Sequence, residues 1–232
     1  MNEIATAVAK TPTEPIPPLE AGDHLDQKTF HERYKAMPRN IRAELIEGVV
    51  YMPSPLKAPH GRSHSELGTW LTRYKAHTPG TDVLDNATAI LDDSNEPQPD
   101  AALRVLPEYG GQTQENTDGY IVGAPELTAE VALSSAAIDL HAQRRVYEQT
   151  GVREYIVFIL GEDRVVWFVR RGTGFVSLDP GSDGILRSEF FGGLWMDPAA
   201  MLREDTLRVE EVLQQGLASP EHKAFVEKLR RP

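Results

Sequence analysis

Glu44, Asp100 and Glu130 are the residues of this sequence best placed to do chemistry. Each is an acid at or inside an apolar run: Glu44 in AELI, Asp100 between Pro99 and Ala101–Leu103, Glu130 between Ala129 and Val131. A carboxylate in such a setting is costly unless it is paired or bound to metal. Any one of them alone reads first as a solvated strand-edge residue, since charged side chains mostly stay exposed. Together, on strands joined by turns, they are expected to cluster at one end of a sheet. Carboxylates gathered without cations repel one another, and a hard divalent ion resolves the repulsion. Mg²⁺, or Mn²⁺ in its place, accepts few carboxylates and keeps its waters, which suits hydrolysis of a phosphodiester.

Two histidines stand near in spacing. His60 and His64 lie one helical turn apart, which can clamp Zn²⁺, but no glutamate lies between them as the metalloprotease motif requires. A partly buried, hydrogen-bonded pair and a pair touching phosphate are the other readings. Tyr147 shares a helical face with Gln143 and either leans over a pocket or packs on the sheet. Ser134 and Ser135 have no nucleophile elbow and read as turn residues.

The elements that must position these groups follow from pattern. A helix is expected over residues 27–37, capped by Asp26 and stopped by Pro38. Residues 42–52 read as two short strands split at Gly48. An amphipathic helix over 60–77 carries Arg62, Arg73 and Lys75 and is the most basic folded stretch. Strands are expected at 81–91, 99–105, 126–133, 153–160, 164–170, 174–177 and 185–189. Residues 107–123 read as a polar surface loop, and 139–150 as a helix with Asp139 as its N-cap. Two more helices are expected at 206–216 and 221–230. The result is an α/β or α+β architecture, a mixed sheet flanked by helices. A Pro-rich arm over 1–22, flexible or wrapped, precedes a domain over 23–202, and a helical tail over 203–232 follows. Trp167, Trp195, Phe190 and Phe191 are expected in core or dimer packing. Glu221, Lys223, Glu227, Lys228, Arg230 and Arg231 are expected on a solvated face, with a weak phosphate contact as the other reading.

Composition bounds the function. The 232 residues include no cysteine, which excludes disulfides, cysteine zinc sites, Fe–S clusters and a thiol nucleophile. A reducing cytoplasm is the natural compartment. The longest apolar run, Tyr155–Leu160, is far short of the about 20 residues a membrane helix needs. Residues 1–10 lack the basic and apolar regions of a secretory signal. A net charge of −11 argues against coating nucleic acid through bulk charge.

The run Gln98-Pro99-Asp100 followed by GAPELTAEVALSS at 123–135 is similar to the PD...ExK signature of restriction-endonuclease-like nucleases. More closely, the chain resembles the Uma-type family within that superfamily. The resemblance extends over AELIEGVVYMPSP at 43–55, GVREYIVF at 151–158, GILRSEFFGGLWMDPAAML at 184–202 and VLQQGLASPEH at 212–222. It implies a restriction-endonuclease-like α/β fold, a metal-dependent endonuclease acting on DNA, and a homodimer. Asp100 would be the central metal ligand and Glu130 the second, with the Val131 carbonyl near the ion. Glu44 would hold a metal-bound water, and His60, His64 and Tyr147 would face substrate. One position departs from the pattern. The ExK lysine is Ala132, and the lysine expected on the following helix is Gln143. Glutamine orients water but carries no positive charge. Arg144 is turned away by about 100° of helix, and Lys57 is another conceivable source of the charge. A catalytically silent descendant that binds nucleic acid or a protein is the alternative.

Overall fold

The computed structural model describes residues 16–53, 56–133 and 138–230. Pro12 and Pro15 of the Pro-rich arm, Ser134, Ser135 and Arg231 lie outside the described residues. What is described of the arm, 16–22, buries Leu19, and backbone bonds from Gly22 and to Asp23 lay the chain against Val50.

The first helix, α1 (Gln27–Ala36), starts where Asp26 accepts from the Thr29 N–H at 2.7 Å. Strands β1 (Glu44–Ile46) and β2 (Val49–Tyr51) form a hairpin. Its turn needs two left-handed residues, Glu47 at φ 52° and Gly48 at φ 75°, the geometry that matches strand twist. Helix α2 (Ala58–His77) then buries Leu67, Trp70, Leu71 and Tyr74 at helical spacing.

A six-stranded mixed sheet carries the molecule. Its members are β3 (Thr81–Asp85), β5 (Ala101–Val105), β8 (Leu127–Ala132), β9 (Glu154–Ile159), β10 (Arg164–Arg171) and β11 (Gly174–Ser177). Their order is β11-β10-β9-β8-β5-β3, with only β8 and β9 parallel. The parallel pair requires a crossover, and helix α3 (Arg144–Thr150) provides it. Leu127, Ala129 and Val131 face the main core with α2, so by strand alternation Glu130 points to the other face.

Three short helices end the chain: α4 (Pro198–Leu202), α5 (Thr206–Leu217) and α6 (Pro220–Leu229). Val209, Leu213, Phe225 and Leu229 pack into the same core as α2 and the sheet, together with a hairpin of β12 (Leu186–Arg187) and β13 (Trp195–Met196). Trp167 and Phe191 are in that core. Trp195 is half-buried and carries the Arg187 guanidinium 4.3 Å from its ring. Glu221, Lys223, Glu227, Lys228 and Arg230 are exposed, as expected.

Three expectations from pattern are corrected. Residues 81–91 are not one strand. The chain turns at Asn86, φ 49°, and residues 89–90 become β4 in a different sheet. Asparagine tolerates that left-handed turn, and its N–H bonds the Asp100 carbonyl. Residues 107–123 are not all loop: β6 (Gln114–Glu115) and β7 (Ile121–Val122) join β4, burying Ile121. Strands of two residues carry no readable alternation. Finally, Asp139 is not an N-cap. The residue before it is already helical, and Asp139–Gln143 is a π-turn that runs into α3.

Candidate functional site

The hairpin, the start of α2, the head of β5, the middle of β8 and the π-turn converge on one cleft of about 1360 Å³. Its lining includes Glu44, His60, Asp100, Glu130, Val131 and Gln143. Asp139 lines it too, and so do Lys57 and Arg42. Tyr147 stands behind Glu130, and His64 reaches the back of Asp100.

Backbone geometry fixes the acids. Pro99 delivers Asp100 to the head of β5, where the Val131 N–H donates to its Oδ2 at 2.8 Å. The Asp100 N–H donates to Glu130 Oε2 at 3.2 Å, which ties β5 to β8. The Gln98 N–H donates to Glu44 Oε1 at 2.6 Å, so the hairpin acid is held by the segment that precedes Asp100. Val131 therefore contributes its N–H to the site.

Glu130 is 7% exposed and is steered from the helix side. Gln143, 2% exposed, donates from Nε2 to Glu130 Oε1 at 2.5 Å and to the Tyr147 hydroxyl at 2.9 Å. The Tyr147 hydroxyl donates to the same Oε1 at 3.1 Å. A π-turn is frequent at functional sites, and here it sets both Asp139 and Gln143 on the cleft.

The histidines hold Asp100 rather than each other. His60 Nε2 lies 3.2 Å from Asp100 Oδ2, and His64 Nε2 lies 2.8 Å from the Asp100 carbonyl and 2.9 Å from Asp85 Oδ1. Among the described residues no three histidine, aspartate or glutamate side chains close into a metal cage, so the Zn²⁺ reading of this pair gains no third ligand.

Electrostatics separates Glu44 and Glu130 from ordinary surface carboxylates. Burial pushes Glu44 up to about 7, with Asp139 and Asp100 adding repulsion. Burial, then Asp100, Asp139 and Glu44, pushes Glu130 well up. A pH prediction follows for Glu44. Its unfolded carboxyl titrates near 4.5 and its folded one near 7, so the fold holds the extra proton between those values. The Glu44 contribution to stability is then lost as pH rises from 4.5 to 7 and is flat above. Glu44→Gln keeps an oxygen for Gln98 and removes the loss. In metal-free urea titrations the variant is expected to gain about 2–3 kcal/mol over wild type at pH 8 relative to pH 4. An equal gain at both pH values contradicts this.

The donors in the cleft are carboxylate oxygens, the type that a hard divalent cation takes. Asp100 Oδ2 and both Glu130 oxygens accept hydrogen bonds, while the other Asp100 oxygen and Glu44 Oε2 stay outside these bonds. Mg²⁺ takes one or two carboxylates and completes its shell with water and phosphate, so no closed cage is needed.

Sequence reasoning missed Asp139, 5% exposed in the cleft wall. An acid opening a helix after a serine-rich turn looks like a cap. The expected basic face of α2 is also not free. Arg62 pairs with Glu204 at 3.1 Å, Arg73 with Glu210 at 3.9 Å and Lys75 with Asp82 at 2.8 Å.

A family model described as "Uma2: Putative restriction endonuclease" matches residues 29–200. A crystal structure described as a putative nuclease belonging to DUF820, from Anabaena variabilis, has a similar fold. Its TM-score is 0.59 at 14% identity, covering 74% of this chain and 97% of that one. At that identity the likeness shows the fold alone. No curated protein matches the sequence.

Proposed function

The chain belongs to the Uma2 family, and from that premise we propose that its acid cleft is the active site of a divalent-metal-dependent endonuclease acting on DNA. The observation that carries the proposal is the convergence of Glu44 from β1, Asp100 from the residue before β5 and Glu130 from β8 in one cleft, where Glu44 and Glu130 are pushed upward by burial and by neighbouring acids. Asp100 and Glu130 would hold Mg²⁺ or Mn²⁺, with the Val131 backbone beside it. The ion would supply positive charge for the phosphate and a more acidic water. Glu44 would orient a water on such an ion. Gln143 and Tyr147 hold Glu130 in its rotamer. His60 and His64 hold Asp100 and face the substrate side. Lys57 takes the place of the missing lysine as the cation near the scissile phosphate. A homodimer in the cytoplasm belongs to the same proposal, resting on the resemblance and the lack of cysteine.

Gln143→Lys tests the reading. A lysine there would set its ammonium beside Glu130, where the family pattern has it. With Mn²⁺ and end-labelled DNA, the variant is expected to cleave about 10²-fold faster than wild type, the scale of one electrostatic donor to a phosphoryl transition state. Lys57→Ala is expected to lower wild-type cleavage. No cleavage by wild type or Gln143→Lys would favour the second reading, a silent nuclease fold. That reading is supported by the engagement of Gln143 with Glu130 and Tyr147.

A further inference from the structure

We infer that β3 is a docking edge for a second copy of this chain, which continues the sheet across a two-fold axis. The inference rests on the homodimer proposed above and gives it a surface. It does not depend on the chemistry of the cleft.

β3 closes one end of the six-stranded sheet, and no strand lies beyond it among the described residues. Its bonding direction is fixed at both ends. The Leu106 N–H donates to the Gly80 carbonyl at 2.9 Å, and the Asn86 N–H donates to the Asp100 carbonyl at 3.1 Å. Asp82 and Leu84, opposite Arg104 and Ala102, therefore bond inward to β5. By alternation the N–H and C=O groups of Val83 and Asp85, and the Thr81 carbonyl, point out of the sheet. Edge strands are usually blunted by lysine, proline or a bulge. β3 reads TDVLD and runs in unbroken register with β5, so it has none of the three. The charge of Asp82 is already taken by Lys75 at 2.8 Å and Arg104 at 3.3 Å. The other end of the sheet differs. At β11 the Phe175 N–H is capped by the Glu148 carboxylate from α3.

The surface beside this edge is self-complementary. Thr81, Val83 and Asp85 lie opposite Val105, Leu103 and Ala101, which face α2 in the main core, so they face α2 as well. His64 of α2 meets Asp85 at 2.9 Å and Lys75 meets Asp82, so α2 runs antiparallel to β3. Between them lies a groove of about 440 Å³, kept open by the short side chains of Ser65, Gly68, Thr69 and Thr72. Arg73 lines it toward the Asp82 end, and Asp85 lines the other end. Their side chains are 60% and 75% exposed, and Arg73 holds Glu210 only at 3.9 Å. A two-fold axis that sets Val83 against its own copy puts the Asp85 N–H at the Thr81 carbonyl of the second copy. The same rotation carries Arg73 of each copy to the Asp85 end of the other. Both contacts then occur twice, as a closed two-fold interface requires. A peptide of unrelated sequence would use the free backbone groups, but it has no reason to match a charge pair that repeats under rotation.

The test is sedimentation equilibrium of the full chain over a range of concentrations, with wild type expected to dimerise. Arg73→Glu turns both exposed pairs into repulsions and is expected to raise the dissociation constant about tenfold or more. Adding Asp85→Arg to it restores the pairs in reverse and is expected to recover most of that loss. Val83→Pro removes an outward N–H and spares the ladder with β5, so it is expected to weaken the dimer by about 100-fold. Hydrogen exchange reads the surface directly. The Val83 and Asp85 amides should be protected in the dimer and lose that protection on dilution. A dimer indifferent to Arg73→Glu overturns this interface and leaves the homodimer standing, and so do Val83 and Asp85 amides that exchange equally fast at every concentration. Wild type that stays monomeric throughout overturns the interface and the homodimer together, while cleavage by the acid cleft is read separately.

Discussion

Glu154→Ala is expected to cost about 3–5 kcal/mol of stability, from the loss of four hydrogen bonds to a buried carboxylate. Glu154 opens β9 and is 1% exposed. Its carboxylate accepts from the Glu189 N–H at 2.7 Å, the Phe190 N–H at 2.8 Å, the Ser188 hydroxyl at 2.7 Å and the Trp167 indole at 3.2 Å. Those donors hold the 188–191 turn, which presents Phe191 to Tyr74 and Phe225. Burial pushes Glu154 up to about 7 despite the four donors. Truncation leaves the donors dry and unpaired. The midpoint of thermal unfolding should fall by roughly 10 °C, since 1 kcal/mol is worth about 2–4 °C in a chain of this size. Calorimetry checks it, with Leu207→Ala on an exposed position as the neutral control. A fall of under about 3 °C would mean that water satisfies the turn instead.

Glu130→Gln is expected to lower Mn²⁺-dependent cleavage by about 10²–10³-fold, the usual loss when one electrostatic stabiliser is removed. The same change should leave metal-free stability unharmed or improved. The amide keeps an oxygen for Gln143 and Tyr147 and loses the 3.2 Å bond from the Asp100 N–H, which the removal of a buried charge opposed by Asp100, Asp139 and Glu44 offsets. A site that is strained without its ligand, and more stable when disarmed, is the signature of function over stability. Cleavage rate and urea midpoint are read on one preparation. Loss of both together would make Glu130 a structural residue.

These two glutamates mark what the sequence could and could not say. Glu130 in ELTAEVAL and Glu154 in REYIVF carry the same signal, an acid at the edge of an apolar run. One faces the cleft and the other caps backbone N–H groups from a turn more than thirty residues away. Spacing cannot tell them apart, because the partners of Glu154 come from tertiary structure. The sheet was legible where strands are long, as in β9 and β10. It was not legible at β4, β6 and β7, where two residues cannot show a period. Asp139 was hidden by cap chemistry, for an acid before a helical run satisfies the same pattern whether or not the helix has already begun. The cations of α2 were readable, but their neutralisation by Glu204 and Glu210 was not, since those acids arrive from the far end of the chain.

The measurement that bears most directly on the acid cleft is a calorimetric titration of Mn²⁺ into wild type and into Asp100→Ala, near pH 8, with a DNA oligonucleotide present. Asp100 takes the Val131 N–H and His60 on one oxygen and has its other oxygen outside those bonds. The account predicts a saturable heat in wild type and an affinity at least about 100-fold weaker in Asp100→Ala, as for loss of a central ligand. Equal binding by the two proteins, or none by either, would contradict it.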